Sequence, residues 1–383
     1  MTALSHPPTV VVYGGTGFFG KLVVDDLLVR TTARIILAGR SKPRTASVNP
    51  RVTFTPSDLN DPASVRAALV GASVVVNCAG PYQSQGPALM HEAIASRVHY
   101  IDLAEDRAFV REAQRSHEAA KNAGVTLLSG LSVVPGLAAL LARSIRDDFD
   151  ELLSIRTFVA PGTRGSRGVA TVRSLLSGVG RTLRLLREGR ETIARGWSEP
   201  EWMEFPPPIG WRLQYLAIEN ADRDVLAREF GARQVEFKAG SEFPWLNRAL
   251  ALAARCRSLT GFPRLDRWAS LLRTCLRWLG RFGTDTGGVL VEVTVTKSAR
   301  TVTRQIALVA DEQGERIPSL LAAIAVGALL RGELTARGAV PLSSWIAPQQ
   351  LFHELRCRGP RLWSKSALDA NWQPVPDKTE TNE

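Results

Sequence analysis

Cysteine is rare in this chain, and the few cysteines are far apart. The 383-residue sequence contains four of them: Cys78, Cys256, Cys275 and Cys357. No two form a C-x-x-C pair, and no cysteine or histidine shows the spacing of a zinc site. We therefore expect no metal centre, and we expect the protein to reside in a reducing, cytoplasmic compartment.

Segments that could cross a membrane are lacking as well. Of two apolar runs without charge, residues 125–142 contain Ser, Gly and Pro and predict a buried strand, a turn and the start of a helix. The second run, residues 318–330, is too short to cross a bilayer. The first eight residues, MTALSHPP, lack the basic region and apolar core of a signal peptide. We therefore expect a soluble protein.

The length of the chain is too great for one compact core and predicts two domains. An apolar content of 45% is typical of a globular protein. The net charge of +11 is concentrated in the middle of the chain, where residues 131–285 contain 24 basic and 17 acidic residues. No recognised nucleic-acid-binding motif accompanies this charge, so we expect no nucleic-acid partner.

Residues 10–28, VVVYGGTGFFGKLVVDDLL, predict a strand, a glycine-rich turn and a helix in that order. This order is typical of a dinucleotide-binding βαβ unit. Its three glycines allow a tight turn, a close approach of the backbone to a diphosphate and close packing of the helix. The N–H groups at the start of the helix then bind the phosphates. The residues expected to contact a cofactor here are Gly14, Gly15, Thr16, Gly17, Phe18, Phe19 and Gly20.

The end of the second predicted strand indicates which dinucleotide is bound. Residues 33–38, ARIILA, are followed by Gly39, Arg40 and Ser41. NAD-binding units place an acidic residue about twenty positions beyond the glycines, whereas an arginine suits the 2′-phosphate of NADP. We therefore expect NADP rather than NAD, with Arg40 and Ser41 as contacts. The alternative is that Arg40 is a solvated cation at the end of the strand.

Two further strand ends supply candidate cofactor contacts. Asp58 and Leu59 follow the third strand, and Asp58 either binds the adenine amino group or caps the helix at residues 62–69. Small residues follow the fourth strand, where they would let a nicotinamide ribose lie against the backbone. These residues are Cys78, Ala79, Gly80 and Pro81. We interpret Cys78 as a small buried residue and not as a nucleophile.

Strands alternate with helices six times up to residue 129, which predicts a doubly wound parallel sheet with helices on both faces. Three stretches of this region resemble the saccharopine dehydrogenase-like NAD(P)-binding family, which includes trans-acting enoyl reductase-like proteins. They are GGTGFFG with AGRS, VVNCAGPYQSQGPALMHEAIASRVHYIDLAED, and SGLSVVPGLAALLA. The resemblance is specific over residues 8–142 and looser beyond them.

This resemblance implies an α/β fold with a Rossmann-type doubly wound parallel sheet and a second α+β substrate domain. We expect residues 1–135 to form the NAD(P)-binding domain and residues 136–340 to form a substrate or dimerisation domain. Residues 341–383 are then expected to pack back on the first domain and to end in a disordered tail from residue 374. The chain departs from the enoyl reductase-like pattern at one point. Those proteins have Gly-Phe-Asp-Ser where this chain has Gly130-Leu131-Ser132-Val133, and the missing acid favours an apolar substrate.

The second half of the chain predicts both helices and strands. Residues 153–160 predict a strand, and residues 169–186 and 265–279 place apolar residues at helical spacing among arginines. Tryptophans and prolines in residues 197–211 predict a long loop that could cover a pocket. Residues 289–296 and 302–309 predict a β-hairpin, and residues 318–330 predict a buried helix. The basic helices either turn their apolar stripes inward, which we favour, or lie on an anionic membrane surface.

Familiar acid–base residues are missing. None of the four tyrosines has a lysine four residues later, which excludes the Tyr/Lys pair of short-chain dehydrogenases. Tyr82 and Asp102 follow or end strands on the expected ligand side and are the candidate catalytic residues. The alternative for both is a structural role. We interpret His99 as a residue buried beside its strand.

These patterns predict an NADP-dependent oxidoreductase that transfers a hydride to or from a carbonyl, an imine or an activated alkene. We expect a small-molecule substrate of apolar character, and the chain could form a homodimer. The alternative is a non-catalytic protein that senses NADP or docks on a lipid surface.

Overall fold

The computed structural model describes residues 7–42, 49–145, 150–164, 176–260, 269–298, 300–366 and 369–376. The strands are β1 Thr9–Tyr13, β2 Arg34–Gly39, β3 Val52–Pro56, β4 Val74–Asn77, β5 His99–Asp102, β6 Thr126–Leu128, β7 Glu151–Pro161, β8 Thr182–Arg187, β9 Arg190–Arg195, β10 Glu201–Phe205, β11 Gly210–Leu216, β12 Gln234–Ala239, β13 Gly287–Lys297, β14 Arg300–Ala310, β15 Gly338–Ala339, β16 Arg361–Ser366 and β17 Gln373–Pro374. The helices are α1 Phe18–Arg30, α2 Pro62–Leu69, α3 Ala88–Ala95, α4 Arg107–Arg115, α5 His117–Ala123, α6 Ala138–Ser144, α7 Asp222–Phe230, α8 Pro244–Thr260, α9 Ala269–Leu279, α10 Ile317–Leu330 and α11 Pro348–Arg356. In the described residues, no helix is both long and apolar enough to span a bilayer.

The first sheet is parallel and has the strand order β15-β6-β5-β4-β1-β2-β3. Its central strands β1 and β4 consist largely of valine and are buried, as expected for a parallel sheet covered on both faces. Helix α5 ends at Gly124, which takes the left-handed conformation with φ of 72°. The predicted Rossmann-type doubly wound sheet is therefore confirmed.

The second sheet is mixed, and its main strand order is β10-β11-β12-β7-β13-β14-β16-β17. Strands β13 and β14 form the predicted hairpin, in which Val289 lies opposite Leu308 and Lys297 opposite Arg300. The alternate valines of β13 are all buried, so the two-residue period of the sequence did identify the face that packs inward. With its helices, this sheet forms the predicted second domain of mixed α and β structure.

Contacts divide the chain into two units, which are Met1–Ser132 with Pro318–Trp345 and Val133–Ile317 with Ile346–Glu383. The returning segment thus differs from the expected residues 341–383. Strand β15 adds to the first sheet beside β6, whereas β16 pairs with β14 in the second sheet. The expected disorder is wrong at Pro374, because Gln373 and Pro374 form β17. Residues 377–383 lie outside the described residues.

Two predictions for the second unit were wrong. Of the predicted helix at residues 169–186, residues 169–175 lie outside the described part of the chain. Residues 182–195 form the hairpin β8–β9 instead. Its two-residue turn, Glu188–Gly189, has φ of 51° and 73°, and such a turn joins antiparallel strands tightly. Leu183 and Leu185 then pack against Leu216, so the two-residue period of a strand, and not the spacing of a helix, determines which side chains of this segment are buried.

The predicted loop at residues 197–211 is also largely a hairpin. Strands β10 and β11 pair antiparallel, with Phe205 opposite Gly210 and Trp202 opposite Leu213. The three prolines lie in the turn between the two strands. Trp197 is buried against Tyr215, with ring centroids 5.6 Å apart. These residues therefore belong to the sheet and its core, and the prediction of a long covering loop is not supported.

A row of polar side chains crosses the second sheet. Arg156 on β7 lies directly opposite Glu236 on β12 and Glu292 on β13. Its Nη1 is 2.8 Å from an oxygen of Glu292, its Nε is 3.5 Å from an oxygen of Glu236, and it also pairs with Glu201. Gln305 on β14 continues the row by donating to Glu292 at 2.8 Å. Since a slip of one residue would turn these groups to the other face, the row specifies the register of four strands.

We expect Arg156→Met to destabilise the second unit by about 3 kcal/mol, because Glu292 would stay largely buried without its ion pair and Glu236 would keep only its ion pair with Arg187. Urea unfolding of the purified chain measures this loss. Arg66→Ala is the matched control, since Arg66 is exposed in its ion pair with Glu92 and such a pair contributes about 1 kcal/mol or less. An equal loss of unfolding free energy in the two variants would contradict a stabilising role for the ion pairs of Arg156.

Candidate cofactor and active site

The turn between β1 and α1 comes very close to the end of β4. Gly14 has φ of 70°, and its N–H donates to the carbonyl oxygen of Ala38 at 3.3 Å. A Cβ atom on Gly14 would lie 2.8 Å from the backbone nitrogen of Ala79. Both the positive φ and this contact require glycine. The turn therefore lies between the ends of β2 and β4.

Helix α1 begins without a side-chain cap. Gly17 occupies the N-cap position in an extended conformation, and the first turn has no acidic residue. The N–H groups of this turn are therefore left for an anion, which is also favoured by the helix dipole. A Cβ on Gly20 would lie 2.2 Å from the carbonyl oxygen of Gly14, so the helix packs directly on the turn. This geometry fits the diphosphate of a dinucleotide.

The other predicted cofactor residues lie at the same edge of the sheet, because they follow the carboxyl ends of neighbouring parallel strands. Arg40 and Ser41 follow β2 and are exposed. Asp58 and Leu59 come shortly after β3, while Cys78, Ala79, Gly80 and Pro81 follow β4. In open α/β sheets, ligands bind at this edge.

The structure removes one alternative for Asp58 and supports the interpretation of Cys78. Helix α2 is capped by Asp61, whose side chain accepts from the N–H of Ala63 at 3.0 Å. Asp58 instead accepts from the N–H of Asn60 at 3.0 Å, so the capping role proposed for it was wrong. Burial raises the pKa of the Cys78 thiol to about 12, which keeps it protonated and unreactive.

Tyr82 connects the ends of β4 and β5. Its hydroxyl donates to the carbonyl oxygen of Asn77 at 2.7 Å and accepts from the N–H of Leu103 at 3.2 Å. Its ring packs edge-to-face on Phe109. Burial, together with the charge of Asp102, raises the pKa of Tyr82 well above its usual value. The phenol is therefore neutral, and its proton is engaged with the backbone.

Asp102 is fully buried at the end of β5. One of its carboxylate oxygens accepts from the N–H of Ala104 at 2.9 Å and from the N–H of Gly130 at 2.8 Å. Burial raises the pKa of Asp102 to about 6, although these hydrogen bonds oppose the shift. The carboxylate thus ties the segment after β5 to the segment after β6.

Glu105 was not identified from the sequence, and it lies on the segment that Asp102 positions. It is partly buried, and its carboxylate accepts from the hydroxyl of Ser132 at a distance of 3.4 Å. Burial raises the pKa of Glu105 to about 7. A carboxyl group near neutrality can donate or accept a proton at physiological pH. The only signal in the sequence was the acidic pair Glu105–Asp106 directly after a buried strand.

His99 does not take part in this group. Its Nδ1 accepts from the N–H of Thr126 at 2.9 Å, and burial lowers the pKa of the ring. The neutral, partly buried ring therefore links β5 to β6, which is a structural role of the kind we expected for it. In the described residues, no cluster of three or more His, Cys, Asp or Glu side chains is arranged to hold a metal ion.

Comparison with known proteins agrees with this geometry. Residues 10–128 match the family model described as saccharopine dehydrogenase NADP binding domain. This match lies entirely within the first unit. It covers β1 to β6 and includes every cofactor contact predicted from the sequence.

Two relatives and one solved structure are also similar to this chain. A trans-acting enoyl reductase of Mycobacterium leprae is 32% identical over 186 residues, which cover 44% of each chain. A trans-acting enoyl reductase of Mycobacterium bovis is 32% identical over 167 residues, covering 39% of this chain and 40% of that protein. The matched region thus spans less than half the length of these relatives. Saccharopine dehydrogenase (L-Glu forming) of Saccharomyces cerevisiae has the same fold, with a TM-score of 0.67 at 17% identity, over 94% of this chain and 100% of that chain.

Gly20→Ala tests the helix N-terminus as the diphosphate site. Its new Cβ would meet the backbone of Gly14 at 2.2 Å, so α1 must move away from the turn. The contribution of a helix N-terminus to anion binding reaches about 2 kcal/mol, and we expect NADPH binding to weaken by about tenfold or more. Titration of NADPH fluorescence measures this change. Gly86→Ala, where a Cβ meets nothing within 4 Å, should bind normally, and equal binding by both variants would refute the site.

Arg40→Ala tests the preference for NADP. Loss of a charge-assisted contact to the 2′-phosphate costs about 1.5–3 kcal/mol, so NADPH affinity should fall by about 10- to 100-fold. NADH affinity should not change. Calorimetric titration with both coenzymes compares the two. The control is Arg34→Ala, an exposed arginine at the opposite end of the same strand. An unchanged preference for NADPH in Arg40→Ala would show that Arg40 is only a solvated cation.

Proposed function

We propose that this protein is an NADPH-dependent reductase of an activated alkene in an apolar acyl substrate. The observation that carries the proposal is the position of Glu105, a carboxyl group with a pKa raised to about 7, on the segment after β5 in an NADP-binding domain. The relatives named trans-acting enoyl reductases support the alkene over the carbonyl or imine. We thus infer the reaction from relatives that this chain matches over less than half of their length.

The residues of the first unit divide the binding task among them. The glycine turn and the start of α1 hold the diphosphate, while Arg40 and Ser41 bind the 2′-phosphate. The backbone at residues 78–81 supports the nicotinamide ribose. Bound NADPH supplies the hydride. The remaining requirement is a proton for the carbon next to the carbonyl group, since the hydride adds to the other carbon of the double bond.

We assign proton transfer to Glu105 and positioning to Asp102 and Tyr82. The hydrogen of Tyr82 is donated to the backbone, and the carboxylate of Asp102 is held by two backbone N–H groups. Glu105 is bound more weakly, at 3.4 Å from Ser132. It donates its proton to the substrate carbon and recovers one from water. The double bond would thus gain a proton from Glu105 and a hydride from bound NADPH, which would be oxidised to NADP⁺.

Residues Gly130–Ser132 support an apolar substrate. The enoyl reductase-like pattern has an acid in this segment, and here Ser132 donates to Glu105 instead. A carboxyl group is therefore present beside this segment, although it is contributed by another part of the chain and is protonated for part of the time at neutral pH. A neutral carboxyl group is compatible with a substrate that brings no charge of its own.

The four cysteines are not joined to one another by disulfide bonds. This supports the prediction of a reducing, cytoplasmic compartment, which is also where an NADPH-dependent reductase would find its cofactor. The homodimer predicted from the sequence stays a prediction.

Glu105→Gln tests the proposed proton donor. Because the protonated form is required for reduction, kcat should be constant well below pH 7 and should fall as the pH rises through about 7. Loss of the acid should lower kcat by about 10²- to 10⁴-fold and abolish this pH dependence, with NADPH affinity unchanged. NADPH oxidation with enoyl thioesters measures both effects.

Glu118→Gln, at an exposed position on α5, is the matched control and should retain the pH profile. Full activity of Glu105→Gln would remove Glu105 from the mechanism. Tight NADPH binding without turnover of enoyl thioesters, aldehydes or imines would instead refute the reductase and leave the cofactor site intact.

A further inference from the structure

Helices α8 and α9 pack their inner faces on one core in the second unit. This core consists of Leu176, Val179, Trp197, Leu213, Tyr215 and Ala254. Leu250 and Ala251 of α8, and Leu272 and Leu276 of α9, contact it from the helices. The inward stripes account for the apolar periodicity of both helices. Packing on this core therefore does not account for apolar residues on the outward faces of the two helices.

The outward face of α9 is apolar as well. Leu271, Cys275 and Trp278, with Phe282 in the turn that follows, are all exposed and recur at intervals of four, three and four residues. The rings of Trp278 and Phe282 pack edge-to-face at 5.6 Å. This spacing places the four side chains in one stripe. The apolar spacing of residues 265–279 in the sequence groups Cys275 with Leu272 on one side of the helix, whereas in the structure Leu272 contacts the core and Cys275 is exposed.

Helix α8 repeats this arrangement. Trp245, Ala249, Leu252 and Cys256 are exposed and recur at the same intervals of four, three and four residues. The five large apolar residues of the two outward stripes are between 54% and 71% exposed. Single exposed apolar residues are common. Two exposed apolar stripes on helices that share one core instead indicate a surface to which a partner binds.

The charge of this surface has one sign. Residues 244–260 and 269–282 contain six arginines and no aspartate or glutamate. Arg248 and Arg255 on α8, and Arg277 and Arg281 in and after α9, are exposed. Such a surface is complementary to a negatively charged partner. It also disfavours pairing with a second copy of itself, since the same arginines would face one another.

We propose that α8 and α9 form a docking surface for an anionic lipid bilayer, which we call the α8–α9 surface. Trp245, Trp278 and Phe282 enter the boundary between head groups and acyl chains, where aromatic rings are favoured. The arginines extend from the same helices to the lipid phosphates. Apolar burial and attraction to anionic lipid then act together, and the protein lies on the membrane without crossing it. This inference does not depend on the proposed reductase activity.

Flotation of the full chain with vesicles tests the α8–α9 surface. We expect the protein to float with vesicles that contain phosphatidylglycerol, to remain unbound with phosphatidylcholine alone, and to be released by high salt. Tryptophan fluorescence should shift to shorter wavelength on binding. The double variants L271S/W278S and R277E/R281E should each bind at least about tenfold more weakly.

Trp211→Ser is the matched control, because Trp211 is equally exposed but lies on β11, and it should bind as the unsubstituted protein does. Unchanged NADPH binding and thermal unfolding would show that the double variants are folded. Three results would overturn the proposal. The first is absence of flotation at low salt, and the second is an equal loss of binding in Trp211→Ser. The third is a concentration-dependent dimer that L271S/W278S abolishes, which would identify a second copy of the chain as the partner.

Discussion

The close approach of backbone to backbone at the first turn is the constraint on which the cofactor site depends. Gly14 lies against the end of β4, and Gly20 lies against Gly14, at distances that exclude any side chain at either position. Because α1 packs so closely on the turn, its uncapped N-terminus points to the edge where β2, β3 and β4 end. A bulkier turn would separate the start of α1 from the strand ends at which we expect the rest of a dinucleotide to bind.

The first sheet could be predicted from sequence because its signals are local. Each strand is a short apolar run, and each run is followed by glycine or a polar residue and then by a helix. The second sheet was predicted less well. Leu183 and Leu186 fit helical spacing, and only the Glu188–Gly189 turn distinguishes a hairpin from a helix. In short segments of this kind, tertiary contacts decide the secondary structure, because intrinsic preferences differ by little.

Prediction of the candidate site from sequence is limited in the same way. The residues proposed to bind the cofactor follow the strand ends, where the sequence signals are local. The proton-transfer half depends on groups that are distant in sequence, such as Glu105 with Ser132 and Asp102 with Gly130. Burial gives Glu105 its pKa near neutrality, and burial of a partly polar loop cannot be deduced from residue spacing. The sequence therefore indicated Tyr82 and Asp102, whose hydrogen bonds position the backbone. It did not indicate Glu105.

Strand β15 has a consequence for how the chain acquires its structure. Gly338 and Ala339 complete the edge of the first sheet, where the carbonyl oxygen of Ala339 also lies 3.2 Å from Nδ1 of His117. The residue that pairs with Thr126 thus emerges from the ribosome more than two hundred residues after it. Until then, the β6 edge of the nascent sheet has unpaired N–H and C=O groups, which are prone to pairing with other chains. The first sheet is therefore completed only after strands β7 to β14 of the second sheet have been synthesised.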